Sequence, residues 1–83
     1  MPGLLDIVVI HAIRHGLDPG SSEEHVAAEL ADLARASRSL LERALGRIEL
    51  GLLDRPSRVG HRARDALRTA LALIERGEPC ASG

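Results

Sequence analysis

Eight side chains between residues 38 and 64 have the types and spacing to grip a polyanion. Arg38, Ser39, Arg43 and Arg47 fall within "SRSLLERALGRIEL", and Arg55, Arg58, Arg62 and Arg64 follow in "RPSRVGHRAR". A guanidinium presents a planar fork of donors that matches a phosphate or the edge of a guanine. With Leu41 at the centre of the buried face of a helix, Ala44, Leu45, Ile48 and Leu52 fall within about 60° of it. Ser39, Arg43, Gly46, Arg47 and Leu50 then land on the opposite side. A helix that enters a major groove needs small residues for close approach and Arg to reach bases and phosphates. Ser39 and Gly46 supply the first, Arg43 and Arg47 the second; Leu50 adds nothing. The run from Arg55 to Arg64 suits sequence-independent, salt-sensitive contacts to backbone phosphates. Cations at the start of a helix oppose its dipole, which hints at a role outside the helix. The same pattern also describes an ordinary solvated face, because Glu42 and Glu49 lie close enough to pair with these arginines.

Other chemistry is poorly provided for. His11 and His15 are four apart, which is metal-ligand spacing, but no HExxH pattern or second cluster accompanies them, and structural zinc wants four ligands. They read as surface or core-edge histidines, and neither metal nor cofactor is expected. No nucleophile elbow, phosphate loop or paired-carboxylate motif frames the Ser, His and Asp residues, so an enzyme is not expected. Cys80 is the lone cysteine, which excludes a disulfide framework and suits a reducing cytoplasm. The longest apolar run, Ile7 to Ile10, is far short of a membrane span, and Asp6 stands where a signal peptide would be basic.

The chain has 83 residues and no aromatic side chain. A core built from Leu, Ile, Val and Ala in so short a chain leaves a thin stability margin, which association commonly relieves. Net charge is −1, yet the charge is polarised: residues 1–33 hold one Arg against six acids, and residues 34–83 hold ten Arg against six acids. A basic half can face phosphates while an acidic half faces away.

The elements that must position these groups are helices. "LLDIVVIHAIRH", Leu4 to His15, could be a buried strand on its β-branched residues, but its length and the lack of a pairing partner favour a buried helix. Gly16, Pro19 and Gly20 break it. Ser21 with Glu24 predicts a capping box for a second helix, whose stripe is Val26, Leu30 and Leu33. Helical composition continues to Leu50, interrupted weakly at "ARASRS" and by a second capping box of Ser39 with Glu42. Pro56 and Gly60 punctuate the chain, and His61 to Arg76 reads as the last helix with Gly77 as its C-cap. The expectation is one domain over residues 1–77, with 78–83 a flexible tail.

The segment "VAAELADLARASRSLLERALGRIELGLLDR", residues 26 to 55, resembles the winged helix-turn-helix domain of MarR-like bacterial regulators. Leu30-Ala31 resembles the Leu-Ala pair of the motif's first helix, and Leu41, Ala44 and Leu45 match the inward positions of a recognition helix. "LGRIELGLLDR" is similar to the family's exit, in which the glycine ends the helix and the leucines enter the wing's first strand. "LLDIVVIHAIRHG" resembles the apolar helix that precedes the motif. Two positions depart from the pattern. The turn glycine is replaced by Arg35, and the segment that should form the wing reads as helix. The resemblance implies an all-α or mainly α domain of three to four helices with a short or absent wing. It also implies a DNA-binding transcriptional regulator that reads double-stranded DNA as a homodimer, with residues 38 to 50 as recognition helix and the first helix, the last helix or both as the dimer seam. The alternative is a helical protein-interaction module, such as an adaptor, an antitoxin-like protein or a phage-encoded inhibitor, with a continuous helix over residues 22 to 50. The two readings part at Arg35 to Ser37: a turn there favours DNA, a straight helix the bundle.

Overall fold

Local sequence divides the chain into α1 (Leu4–Leu17), α2 (Glu23–Leu33), α3 (Arg38–Asp54) and α4 (Arg58–Glu75) in a computed structural model that describes residues 3–76. The expected tail 78–83, with Cys80, and the expected cap Gly77 lie outside the described residues. The fold is all-α, and no strand, and hence no wing, occurs among the described residues. The β-branched run Ile7 to Ile10 is helical because the described residues offer no strand to pair with it, leaving the i to i−4 ladder to satisfy its backbone groups.

The starts of α2, α3 and α4 are capped by serines, though two of the expected serines are displaced, while α1 starts at Gly3, whose N–H donates to Asp6. Ser22, not Ser21, caps α2, its hydroxyl accepting from the His25 N–H at 3.3 Å. Ser37, not Ser39, caps α3 by accepting from the Leu40 N–H at 3.3 Å. Ser21 is committed elsewhere, to His15, and Ser39 already lies inside α3. Ser57 caps α4 through the Gly60 N–H at 3.0 Å, so that helix begins three residues before the expected His61.

The join between α2 and α3 is a true turn, and it overturns the continuous helix over residues 22 to 50. Arg35 and Ala36 have φ of 55° and 58°. The Ala36 N–H donates to Ala31 O at 2.8 Å and the Arg35 N–H to Asp32 O at 2.9 Å. These are the paired bonds of a Schellman ending, which satisfies carbonyls that the end of a helix would otherwise orphan. The position that usually holds glycine holds Arg35, so the left-handed backbone is formed against its intrinsic preference.

Helix α4 is the hub of the fold and packs on each of the other three. Its inward residues Ala63, Ala66, Leu67 and Ala70 are fully buried. Three of these are alanines, which let neighbouring backbones come close on several sides. Val8 and Ala12 from α1, Leu30 from α2, and Leu41 and Ala44 from α3 complete the centre. Gly16 lies against Val59 O so closely that a Cβ there would collide with α4, and a Cβ at Gly60 would stand 2.6 Å from Leu52 Cδ2. Gly51 has no such role. It does not end α3, which runs on through Leu52 and Leu53 to Asp54. The resemblance to a glycine-terminated recognition helix therefore fails at its exit, because Leu52 stays on the helix to pack against the core beside α4.

Candidate nucleic-acid interface

The polarity of α3 follows the helical period. Leu41, Ala44 and Ile48 are buried, Leu45 and Leu52 are half-buried, and Ser39, Arg43, Arg47 and Leu50 are exposed. Gly46 lies on the outer side with nothing within 4 Å of where a Cβ would stand. A smooth stretch of helix surface thus runs past Ser39, Arg43 and Gly46 and ends on Leu50.

The expected site arginines divide into two groups. The side chains of Arg43, Arg55 and Arg58 are exposed and make no hydrogen bond or ion pair among the described residues. Arg55 stands at the C-terminal end of α3 and Arg58 at the first position of α4, so the two flank the short connection between those helices. Arg43 lies about 18 Å from Arg55 along the helix, at about 1.5 Å per residue.

The others already have partners. Arg47 donates to Asp6 of α1 at 2.8 Å, and Arg38 reaches Glu42 at 3.2 Å and Glu75 at 3.0 Å. These pairs are solvent-exposed, a class that contributes roughly 0–1 kcal/mol each and exchanges partners readily. The Arg47 guanidinium beside Asp6 also holds that carboxyl below its usual range, helped by the Gly3 N–H. Arg64 folds onto its neighbour Asp65 at 3.2 Å.

Arg62 does not fit the expected phosphate clamp. It turns inward, and its Nη2 donates to the carbonyl oxygens of Asp18 at 2.9 Å and of His15 and Ser21 at 3.4 Å each. It therefore closes the C-terminal end of α1 and fastens the loop before α2, the place where a cation best complements the helix dipole. Beside it, the buried His15 shares a 2.8 Å hydrogen bond through Nδ1 with Ser21 Oγ. Burial first, and the Arg62 charge second, hold the His15 ring below its usual pKa and so neutral. His11 does not turn toward His15 chemistry. It meets Glu29 of α2 at 3.0 Å, and His25 meets the other oxygen of the same carboxylate at 3.4 Å.

Two contributors escaped the sequence reading. Arg35 stands exposed on the turn that leads into α3, and its side chain has no partner among the described residues. The positive turn residue was visible in the sequence, but only as a poor fit to a glycine position. Asp6 was counted among the acids of the first half, with no signal that it lies 2.8 Å from Arg47 across 41 residues. Comparison with protein-family models, with curated proteins and with solved structures returns no match. No helix among the described residues is long and apolar enough to cross a membrane.

Proposed function

We propose that the chain is a DNA-binding transcriptional regulator of the bacterial cytoplasm that engages double-stranded DNA as a homodimer through a helix-turn-helix without a wing. The observation that carries this reading is the tight turn at Arg35 and Ala36, after which α3 presents Ser39, Arg43 and Gly46 on an unobstructed outer face. In this arrangement α3 lies in the major groove, Arg43 reads bases or phosphates, and Arg47 can exchange Asp6 for the nucleic acid. Arg35, Arg55 and Arg58 meet backbone phosphates at the edges of the groove. Arg62 holds the loop between α1 and α2 instead, and Arg64 is paired with Asp65.

Binding to duplex DNA, measured by anisotropy across a salt series, tests the reading. Replacing Arg43 and Arg47 together by Ala is expected to lower specific affinity by several kcal/mol if they read bases. Replacing Arg55 and Arg58 by Ala is expected to weaken binding on all sequences alike and to flatten the salt dependence. Unchanged binding in both double variants defeats the proposal.

A second reading is a helical protein-interaction module without the continuous helix. It is favoured by Leu50 and Leu53, which are 68% and 83% exposed at the end of α3 and suit an apolar partner better than a phosphate. It is also favoured by the small contact between α2 and α3, which are held through α4 more than against each other. Failure of the chain to bind heparin or duplex DNA even at low salt selects this reading.

A further inference from the structure

Helix α1 buries only one side. Val8 and Ala12 are fully buried, whereas Leu4, Ile7, Ile10, Ile13 and Leu17 are 37–66% exposed. Their exposed surface comes to roughly 400 Å² by ordinary side-chain areas, already at the size of apolar patch that monomers seldom leave open without a function. We infer that this face is covered by α1 of a second copy, the two helices running antiparallel about a two-fold axis at Ile10. The inference specifies the dimer contained in the regulator reading and rests on that part of it alone.

Three features select a second copy rather than another partner. The face is self-complementary in one register. With Ile10 facing the partner's Ile10 on the axis, Ile7 falls beside the partner's Ile13, so that the exposed isoleucines of α1 meet one another, while Leu4 falls opposite the partner's Gly16, one position from the partner's Leu17. An isologous contact requires this reciprocity. In the same register Arg14 falls beside the partner's Asp6. The Arg14 side chain is exposed and without a partner among the described residues, and Asp6 is 44% exposed, its Oδ1 accepting from Arg47 and its Oδ2 from the Gly3 N–H. The pairing places one cation by one carboxylate at each end of the seam, twice by symmetry, and disfavours the parallel arrangement, which would bring Arg14 beside Arg14.

The surface also has the right relief. Ile7, Ile10, His11 and Arg14 surround a shallow hollow on α1. These four residues have the i, i+3, i+4, i+7 spacing of the hole that receives one side chain from a facing helix. The partner's Ile10 packs along the Ile10 wall of this hollow, and by symmetry Ile10 packs along the partner's. Two such patches together bring about 800 Å² of apolar surface out of water before the flanking residues are counted, near the roughly 1,000 Å² at which specific association becomes stable.

The test uses the full chain with Cys80→Ser, so that an introduced cysteine is the sole thiol. Sedimentation equilibrium at about 100 µM is expected to give a dimer, and Ile10→Asp a helical monomer, since Ile10 is outside the core and its loss leaves the fold intact by circular dichroism. Ile10→Cys is expected to crosslink to itself under mild oxidation. Leu17→Cys is not, because the two copies of that residue stand about 21 Å apart at about 1.5 Å per residue from the axis, beyond the reach of a disulfide. A monomer in the unsubstituted sequence overturns the inference together with the homodimer. A dimer that survives Ile10→Asp, or that crosslinks through Leu17 and not Ile10, overturns this interface while leaving the homodimer standing. DNA binding is read separately, and its absence from an α1-paired dimer removes the regulator reading alone.

Discussion

Residues of one type carry opposite tasks in this chain. Arg43 extends from the outer face of α3 with no partner among the described residues, whereas Arg62 is drawn inward by three backbone carbonyls. The two were indistinguishable in sequence, since both lie in arginine-rich helical segments. The carbonyls that claim Arg62 belong to residues 41 to 47 positions away. The neutral, buried His15 beside it gives the fold a pH dependence. Its folded-state pKa lies below the ordinary 6.5, so the unfolded chain takes up the proton first as pH falls. The stability it provides is fully present above about 6.5 and is lost as pH drops toward the folded value. A thermal melt followed from pH 7.5 to 5.0 is expected to show a falling midpoint, and His15→Asn to flatten that slope. Asp6 acts in a lower window, because its folded pKa is depressed below 3.8. Its contribution is present above that pH and disappears as the medium is acidified through its folded value.

Among the elements, the turn between α2 and α3 has the largest functional consequence. It is built at Arg35 and Ala36, neither of which favours positive φ. A left-handed residue other than glycine costs roughly 1 kcal/mol or more. Arg35→Gly is therefore expected to stabilise the protein by about 0.5–1 kcal/mol in chemical denaturation. If Arg35 also meets phosphate, the same variant loses some DNA affinity as it gains stability, which separates the two roles of the position. A destabilised Arg35→Gly protein contradicts this account of the turn. The run of helical composition to Leu50 concealed the break, because its signal is a Schellman hydrogen-bond pattern and not a residue type. The converse holds at Gly51. Glycine and two leucines resembled the end of a recognition helix, yet α3 passes through them, since nothing at Gly51 forces a positive φ and Leu52 has a place beside α4.

At the scale of the whole molecule, stability is concentrated in α4, which packs on all three partners. Leu67, fully buried at its centre, is among the largest side chains available in a chain without aromatics. Leu67→Ala is expected to cost about 2–5 kcal/mol, a large share of the roughly 5–15 kcal/mol that holds a domain together. Denaturant titration is expected to show a markedly lower midpoint, and a loss under 1 kcal/mol would refute the hub role of α4. The same economy of core explains α1, which gives Val8 and Ala12 to the interior and leaves its isoleucines for a second surface.

Periodicity was sufficient to specify the inward positions of α3 and the amphipathic character of the last helix, because each is set by neighbours within one or two turns; the all-α class also needed the length of the first apolar segment and its lack of a pairing strand. The serine caps were legible as a type but displaced at α2 and α3. Their choice depended on whether Ser21 would be taken by His15 and on where the turn would end. Which arginines face outward and that Asp6 would bind Arg47 were decided only by tertiary structure. Those outcomes depend on carbonyls, carboxylates and buried surfaces that the folded chain brings together from distant positions, and no local pattern encodes them.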